Sequence, residues 1–178
     1  KSDPYLIGYW TDNEVKWNAQ DGLAPADDLL SSTFLRLHST NSSSLAVVIE
    51  WLKTRYGESV SKLNGAWKLN ITAWLQLPLV LPFPKTAARE ADNLAFAEYY
   101  SSTYHRIAAA AIRAHDPNHL VIGSRYNEIG SPVVQAAIKG ASDSIDVLDV
   151  HVYSAEPAAD TLWLLHNITN GKPLLVSE

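Results

Sequence analysis

Residues 4–14, which read PYLIGYWTDNE, decide the fold of this chain. The segment begins as an apolar, aromatic run with strong strand propensity and ends abruptly in three polar residues. A buried parallel strand has this pattern where its carboxyl end reaches a functional site. The final residues, 172–178, read KPLLVSE and repeat the pattern. The sequence therefore predicts two strands that each place one carboxylate, Glu14 or Glu178, at the carboxyl end.

Between these two strands, helix and strand patterns alternate along the chain. The spacing of apolar residues predicts helices over residues 43–56, 60–67, 87–115, 132–140 and 157–166. Apolar runs predict strands over 120–126 and 145–153, and three prolines predict an extended crossing over 77–84. In the longest helix, the spacing predicts a buried face made of Ala97, Tyr100, Tyr104, Ile107, Ala108, Ala111 and Ile112.

This order of elements predicts an α/β fold built from parallel β-α units with right-handed crossovers. Doubly wound sheets and barrels share the alternation, but no glycine-rich phosphate turn follows any strand, as a nucleotide-binding sheet would require. Polar residues at the strand ends favour the barrel. A complete TIM (β/α)8 barrel takes about 250 residues and eight strands. We therefore expect residues 1–178 to be a single fragment, about half of such a barrel.

Composition excludes several classes of function. The net charge of −5 and the absence of any basic run argue against binding to nucleic acid or to an anionic membrane. No apolar segment approaches the roughly 20 residues that span a bilayer, and the lack of cysteine excludes disulfides and thiol chemistry. Because the chain starts at Lys1 and contains no methionine, we expect it to be part of a longer protein, called here the full-length protein.

The two predicted strand-end carboxylates suit glycoside hydrolysis. One carboxyl group must protonate the leaving oxygen, and a second must act on the other side of the anomeric carbon. A parallel barrel brings all its strand ends to one face, so Glu14 and Glu178 would share a site despite their separation in the sequence. This chemistry implies a carbohydrate substrate, and it implies no organic cofactor and no metal. The sequence does not indicate an oligomeric state.

Several segments resemble clan A glycoside hydrolases, most of all the β-galactosidase and β-agarase relatives. They are Asp12-Asn13-Glu14 after the first strand, residues 51–67, residues 111–120 and residues 172–178. The segments occur in the family's order and cover nearly the whole chain, which would then hold strands four to seven. The resemblance implies a retaining double displacement on a β-linked saccharide, favouring a β-galactoside or agarose-like galactan. It makes Glu14 the acid/base and Glu178 the nucleophile.

The resemblance also implies roles for neighbouring side chains. Asn13 would hydrogen-bond the sugar 2-hydroxyl, and Tyr153 would hold the nucleophile carboxylate. His151 lies two residues before Tyr153 on a predicted strand, so the two share a face, and we expect His151 to contact substrate. For both residues the alternative is an ordinary, hydrogen-bonded core position. Asp12 is expected to support the site without acting as a catalyst.

Two further residues are candidates for substrate binding. Arg125, at a strand end, would bind a sugar hydroxyl or orient a carboxylate, with a structural ion pair to Asp149 or Glu128 as the alternative. Trp17 follows the first strand closely enough to contact a ligand, and the alternative is that it covers the local core.

Two other functions stay open at this point. A metal-dependent sugar isomerase on the same barrel would use Glu14, Asp149, His151 and Glu178 as metal ligands. A non-catalytic carbohydrate-binding protein would use the aromatic residues and lack a working carboxylate pair. The expected location is extracellular. In a secreted eukaryotic protein the sequons at Asn41, Asn70 and Asn167 could carry glycans, although chance matches explain them equally well.

This chain would hold only half of the barrel that the resembling family has, and a first prediction follows from that. Strands one to three and eight are missing from this chain, and an isolated half barrel exposes two sheet edges and an uncovered core. We expect the purified 178-residue chain to be poorly folded and inactive, as measured by circular dichroism and by turnover of galactan. The full-length protein is the control, and robust hydrolysis by the short chain would contradict the prediction.

Overall fold

A four-stranded parallel sheet organises the part of the chain that carries the predicted site. The computed structural model describes residues 3–18, 28–36, 42–154 and 159–178. The strands are β1 (Gly8–Asn13), β2 (Leu120–Tyr126), β3 (Leu148–Val150) and β4 (Leu174–Val176). They lie side by side in the order β1-β2-β3-β4, and each neighbouring pair is parallel. The predicted α/β fold with parallel strands is confirmed, while closure into a barrel stays a prediction.

The described helices follow the predicted order closely. They are α1 (Ser43–Tyr56), α2 (Val60–Trp67), α3 (Ala87–His115), α4 (Pro132–Ala141) and α5 (Ala159–Ile168), with a π-helical turn at Leu30–Phe34 and a 3-10 helix at Trp74–Leu79. The 3-10 helix corrects residues 77–79 of the extended crossing predicted over 77–84, while residues 80–84 belong to no regular helix or strand. Pro78 fits inside it because the fixed proline φ is close to the 3-10 value. Among the helices that the structure describes, none combines the length and apolar composition of a membrane span.

The chain forms two compact units, one of residues 1–17 and 94–178 and the other of residues 18–93. In the second unit, α1 begins after Ser42, whose side chain accepts a hydrogen bond from the Leu45 N–H at 3.3 Å. The helix ends at Gly57, which has the left-handed φ of 60° that the predicted cap requires. The predicted apolar stripe is buried at Leu45, Val48, Ile49 and Leu52.

A buried carboxylate, Asp92, links the helices of the second unit. It accepts hydrogen bonds from Arg55, from the Tyr56 hydroxyl and from Trp67 Nε1, the last at 2.7 Å. Burial, and then the bond to Asp92, raises the pKa of Tyr56 to about 12. The carboxylate therefore joins α1, α2 and the first part of α3 within this unit.

The first unit packs its sheet against helices. The core comprises Trp17, Tyr126, Val134, Ala137, Ile138, Ala141, Ile145, Leu148, Val150 and Leu165. These residues come from the segment after β1, from β2 and β3, from α4 and α5, and from the segment between α4 and β3. One face of the sheet is thereby fixed, and the strand ends are held at a common edge.

The buried face of α3 differs from the predicted one. Ala97 is buried as predicted, but Ile107 is 59% exposed and Tyr100 is 39% exposed. The residues that face the core of the first unit include Ser101 and His105. Apolar spacing misidentified the face because polar side chains with hydrogen-bond partners are readily buried.

An irregularity in the pairing of β1 with β2 sets the register of the strand ends. Tyr9 pairs with Val121, but the next residue, Trp10, pairs with Gly123, so one residue of β2 is skipped. Gly123 has a φ of +81°, as glycine often does in a bulge. A second shift after Trp10 compensates the first, and Asn13 then pairs with Arg125. The bulge therefore places these two polar residues side by side.

Of the sequons, Asn70 and Asn167 are exposed, and Asn41 lies outside the described residues. The hydroxyl of Thr169, the third residue of the last sequon, is buried and donates to the Leu165 carbonyl at 2.8 Å. Glycosylation of these sites stays a prediction.

Replacing Gly123 with alanine tests the importance of the bulge. A Cβ atom there would lie 2.6 Å from Ile145 Cγ2 and 3.3 Å from the His105 ring, in a backbone conformation that disfavours L-residues. We expect Gly123→Ala to destabilise the full-length protein by about 2–4 kcal/mol, measured by denaturant unfolding. Gly65→Ala is the matched control, because no atom lies within 4 Å and alanine favours the helix. A neutral Gly123→Ala would contradict the prediction.

Candidate active site

The side chains of Glu14 and Glu178 meet at one tyrosine hydroxyl. Glu14 follows β1 and Glu178 follows β4, the two edge strands of the described sheet. The Tyr153 hydroxyl lies 2.6 Å from Glu14 Oε1 and 3.0 Å from Glu178 Oε1. The two carboxylate oxygens therefore cannot be farther apart than these two distances combined. The structure brings the predicted pair into one site.

Backbone pairing continues beyond the strands and positions both glutamates. The Glu14 N–H donates to the Arg125 carbonyl at 3.1 Å, and the Val152 N–H donates to the Glu178 carbonyl at 2.8 Å. Glu14 itself has a φ of 53°, which is uncommon for a residue with a side chain. Such strained residues cluster at functional sites, where the surrounding structure holds them in place.

His151 is the third partner of the carboxylates. Its ring is buried, and Nδ1 lies 2.7 Å from Glu14 Oε1 and 3.6 Å from Glu178 Oε2. The same nitrogen is 3.1 Å from the Tyr153 hydroxyl, and the two rings meet edge to face. His151 and Tyr153 therefore share a face, as their spacing predicts. The structure places His151 against Glu14, where its partner is a protein carboxylate.

The hydrogen bonds around Glu14 determine its charge. The Tyr153 hydroxyl, and then His151, hold the pKa of the Glu14 carboxyl below its usual value. The same bond to Glu14, with burial and the bond to Glu178, raises the pKa of the Tyr153 phenol. Glu14 is thus ionised and Tyr153 protonated at neutral pH. Because a phenol has a single proton, Tyr153 can donate to only one glutamate at a time.

Arg125 lies between Asn13, the expected sugar contact, and the buried Asp149. Its Nη1 donates to Asn13 Oδ1 at 3.2 Å, and its guanidinium carbon lies 4.8 Å from the centre of the Trp10 ring. Its Nε is 3.8 Å from Asp149 Oδ2, which agrees with the ion-pair alternative. The other proposed partner, Glu128, instead accepts a bond from Lys16 at 2.7 Å.

Trp17 belongs to the core of the first unit. It is 2% exposed and packs against the rings of Tyr104, His105 and Tyr126 at centroid distances of 5.8, 5.6 and 6.1 Å. This position agrees with the core alternative and leaves the indole covered by protein side chains.

A buried polar network, which sequence reasoning missed, supports the end of β1. Asp12 Oδ2 accepts hydrogen bonds from the Tyr104 and Ser124 hydroxyls, both at 2.7 Å. Ser124 Oγ lies 3.0 Å from His105 Nε2, and His105 Nδ1 lies 2.9 Å from the Ser101 carbonyl. Burial lowers the pKa of His105. The only sequence signal was a histidine among the small residues of α3, and the supporting role expected for Asp12 fits these contacts.

Within residues 3–18, 28–36, 42–154 and 159–178, no group of three or more histidine, aspartate or glutamate side chains is placed to hold a metal ion.

Comparison with curated proteins finds bacterial relatives that are much longer than this chain. No family model matches the sequence. The chain is 29% identical over 187 residues to β-agarase A of Vibrio sp. (strain JT0107), an alignment that covers 99% of this chain and 18% of the relative. It is 25% identical over 165 residues to β-agarase B of the same strain, covering 92% and 17%. The chain thus spans less than a fifth of the length of these relatives.

Solved structures share the fold. The agarase AgWH50C superposes with a TM-score of 0.76 at 23% identity, over 96% of this chain and 24% of that one. An exo-β-agarase gives a TM-score of 0.78 at 23% identity, over 96% and 23%. PfGH50B gives 0.78 at 21% identity, over 96% and 24%. The described fold therefore matches about a quarter of each of these larger structures.

The lowered pKa of Glu14 predicts a pH dependence of stability. A carboxyl group whose pKa is lower in the folded state than its ordinary 4.5 stabilises the fold fully above pH 4.5, and that contribution disappears as the pH falls through the folded pKa. We expect Glu14→Gln to lower the Tm of the full-length protein at neutral pH and to lower it less under acid conditions. A Tm difference that is independent of pH would contradict this assignment.

Proposed function

We propose that the full-length protein is a retaining glycosidase that cleaves β-linked galactan of the agarose type, and that this chain supplies both catalytic carboxylates. The observation that carries the proposal is the Tyr153 hydroxyl, which joins Glu14 and Glu178 across the strand ends. The substrate class is supported by the relatives, two of which are β-agarases by name.

In the proposed reaction, Glu178 attacks the anomeric carbon while Glu14 gives a proton to the departing glycosidic oxygen. A water molecule, deprotonated by Glu14, then attacks the anomeric carbon of the glycosyl ester. It approaches from the face that the leaving group has left, and the bond to Glu178 breaks. Retention is supported by the spacing, because the two hydrogen bonds to Tyr153 add up to less than the about 6.5–9.5 Å separation of inverting enzymes.

Tyr153 has a specific part in this cycle. Glu14 must carry a proton when substrate binds, yet the bonds from Tyr153 and His151 favour its ionised form. If the single phenol proton moves toward Glu178, Glu14 loses a donor, and the neighbouring negative charge of Glu178 favours protonation of Glu14. Once Glu178 forms the ester, that charge disappears and Glu14 releases its proton more readily. The shared hydroxyl thereby matches the protonation of each glutamate to its step.

Asn13 and Arg125 fit the sugar side of the site. Arg125 donates to Asn13 Oδ1 and so orients the Asn13 amide beside Glu14. An amide held in this way offers its NH₂ group to the sugar 2-hydroxyl, a contact that strengthens in the transition state.

The sheet order supports a barrel. All neighbouring strands are parallel and consecutive, and each added strand lies on the same side of the previous one. A doubly wound sheet would instead reverse its order at the binding crevice. We propose that β1 to β4 are strands four to seven of a TIM barrel that the rest of the full-length protein completes.

The carboxylate variants of the full-length protein test the function. We expect Glu14→Gln and Glu178→Gln each to lower kcat on agarose by at least about 10²–10⁴-fold. With an aryl β-galactoside, whose leaving group departs without a proton, the first step of Glu14→Gln should recover while that of Glu178→Gln should not. Added azide, which needs no general base, should restore turnover of Glu14→Gln and give a product of retained configuration.

Glu128→Gln is the matched control. Like Glu14, Glu128 follows a strand, has a left-handed φ of 52° and pairs with a basic side chain. It is not one of the two proposed catalytic carboxylates, so its substitution should leave kcat unchanged. Other outcomes would identify the alternatives. Saccharide binding without turnover in the wild-type protein would indicate a non-catalytic binding protein. Activity that a chelator abolishes and metal restores would indicate an isomerase.

A further inference from the structure

We infer that Asp149 is a positioning residue that aligns both proposed catalytic glutamates from beneath the site. This inference rests on the proposed function. Asp149 lies in the middle of β3, and its carboxylate contacts one residue in, or directly after, each of the other three strands. It does not itself reach the reacting atoms.

The contacts of Asp149 converge on one oxygen. Oδ2 accepts hydrogen bonds from Trp10 Nε1 and, at 2.8 Å, from the Ser177 hydroxyl. Arg125 Nε lies 3.8 Å from the same oxygen. Trp10 belongs to β1, Arg125 to β2, and Ser177 directly follows β4. A single carboxylate therefore joins all four strands of the sheet at the level just below the glutamates.

A buried carboxylate such as that of Asp149 needs hydrogen bonds and an opposite charge to compensate its loss of water. The side chain of Asp149 is fully buried, whereas that of Arg125 is 32% exposed. Trp10 packs its ring against the guanidinium and also donates to Asp149, so Arg125 is fixed by an ion pair and by a cation–π contact.

The first route from Asp149 leads to Glu14. Arg125, once fixed, donates from Nη1 to Asn13 Oδ1, and its own carbonyl accepts the Glu14 N–H. Both Asn13 and Glu14 are thereby tied to the same arginine, one through its side chain and the other through its backbone. Movement of Arg125 would displace the proposed sugar contact and the proposed acid/base together.

The second route leads to Glu178. Ser177 is its immediate neighbour, and it is held by the hydroxyl bond to Asp149 and by its N–H, which donates to the Val150 carbonyl at 3.3 Å. The peptide that carries the proposed nucleophile is therefore anchored to β3 from two directions. Catalysis is sensitive to such anchoring, because a displacement of about 1 Å at a reacting group costs about 100-fold in rate.

The test is Asp149→Asn in the full-length protein. Asparagine keeps the shape and one carbonyl oxygen, so it can still accept from Trp10 and Ser177, but it lacks the charge that holds Arg125. We expect kcat on galactan to fall by about 10- to 100-fold with little change in KM, since the alignment of reacting groups changes more than sugar binding.

Asp146→Asn is the matched control on the segment that leads into β3. Asp146 also pairs with an arginine, Arg113, at 3.1 Å and accepts one backbone N–H, that of Val121, at 2.8 Å. It lies at the opposite end of the strand from the glutamates. We expect its substitution to lower Tm modestly and to leave kcat per active site unchanged.

Two readouts separate positioning from a merely structural role. Active sites are counted by trapping the glycosyl ester of Glu178 with a fluorinated galactoside, so kcat refers to folded enzyme only. A crystal structure of Asp149→Asn measures the distance from Arg125 Nη1 to Asn13 Oδ1, which is 3.2 Å in the wild-type chain. We expect this distance to increase beyond hydrogen-bond range in the variant. This second readout does not depend on activity.

The outcomes distinguish this inference from the proposed function. An active wild-type enzyme whose Asp149→Asn variant keeps its kcat per active site, or keeps Arg125 in place, would overturn the positioning role alone. An equal loss of kcat in Asp146→Asn would overturn it as well. A wild-type enzyme without glycosidase activity would overturn the proposed function, and the role in catalysis inferred for Asp149 would fall with it.

Discussion

The site depends on one phenol proton placed between two carboxylates. Tyr153 is within hydrogen-bond distance of both Glu14 and Glu178, but it can satisfy only one of them at a time. The two glutamates therefore cannot be in equivalent environments. A change in the protonation of one alters how readily the other is ionised. His151 adds a donor on the side of Glu14, which increases the asymmetry. Two chemically identical side chains acquire different properties through this arrangement, with the ionised form favoured at Glu14.

The parts of this architecture that the sequence predicted have local causes. The strands that end in Glu14 and Glu178 were identifiable because an apolar run stops at a polar residue, and α1 was identifiable from its stripe and from Gly57. Parallel pairing followed from the alternation of elements. The meeting of the two glutamates was predictable because parallel strand ends lie at the same edge of a sheet. The strands and α1 follow rules that apply over a few neighbouring residues, while the pairing and the meeting of the glutamates follow from general rules of parallel sheets.

The parts that the sequence did not predict depend on long-range partners. The face of α3 was misassigned because Ser101 and His105 are buried through bonds to residues far away in the chain. The interior position of Trp17 depends on rings contributed by α3 and β2. The bulge at Gly123 results from a φ that glycine permits but does not require. Asp149 was identifiable as an acid on a strand, but its position among three other strands required the structure.

The buried network behind β1 has a direction as well as a set of contacts. The Ser101 carbonyl can only accept, so His105 Nδ1 carries the hydrogen, and in the neutral ring favoured by burial Nε2 must accept. Ser124 lies closer to Asp12, at 2.7 Å, than to His105 Nε2, at 3.0 Å, and its one hydrogen serves the carboxylate. The Tyr126 hydroxyl, 3.3 Å from Nε2, then completes the ring's bonding. The end of β1 is thus held by two hydroxyl dipoles, those of Tyr104 and Ser124, which both point at a carboxylate two residues before Glu14.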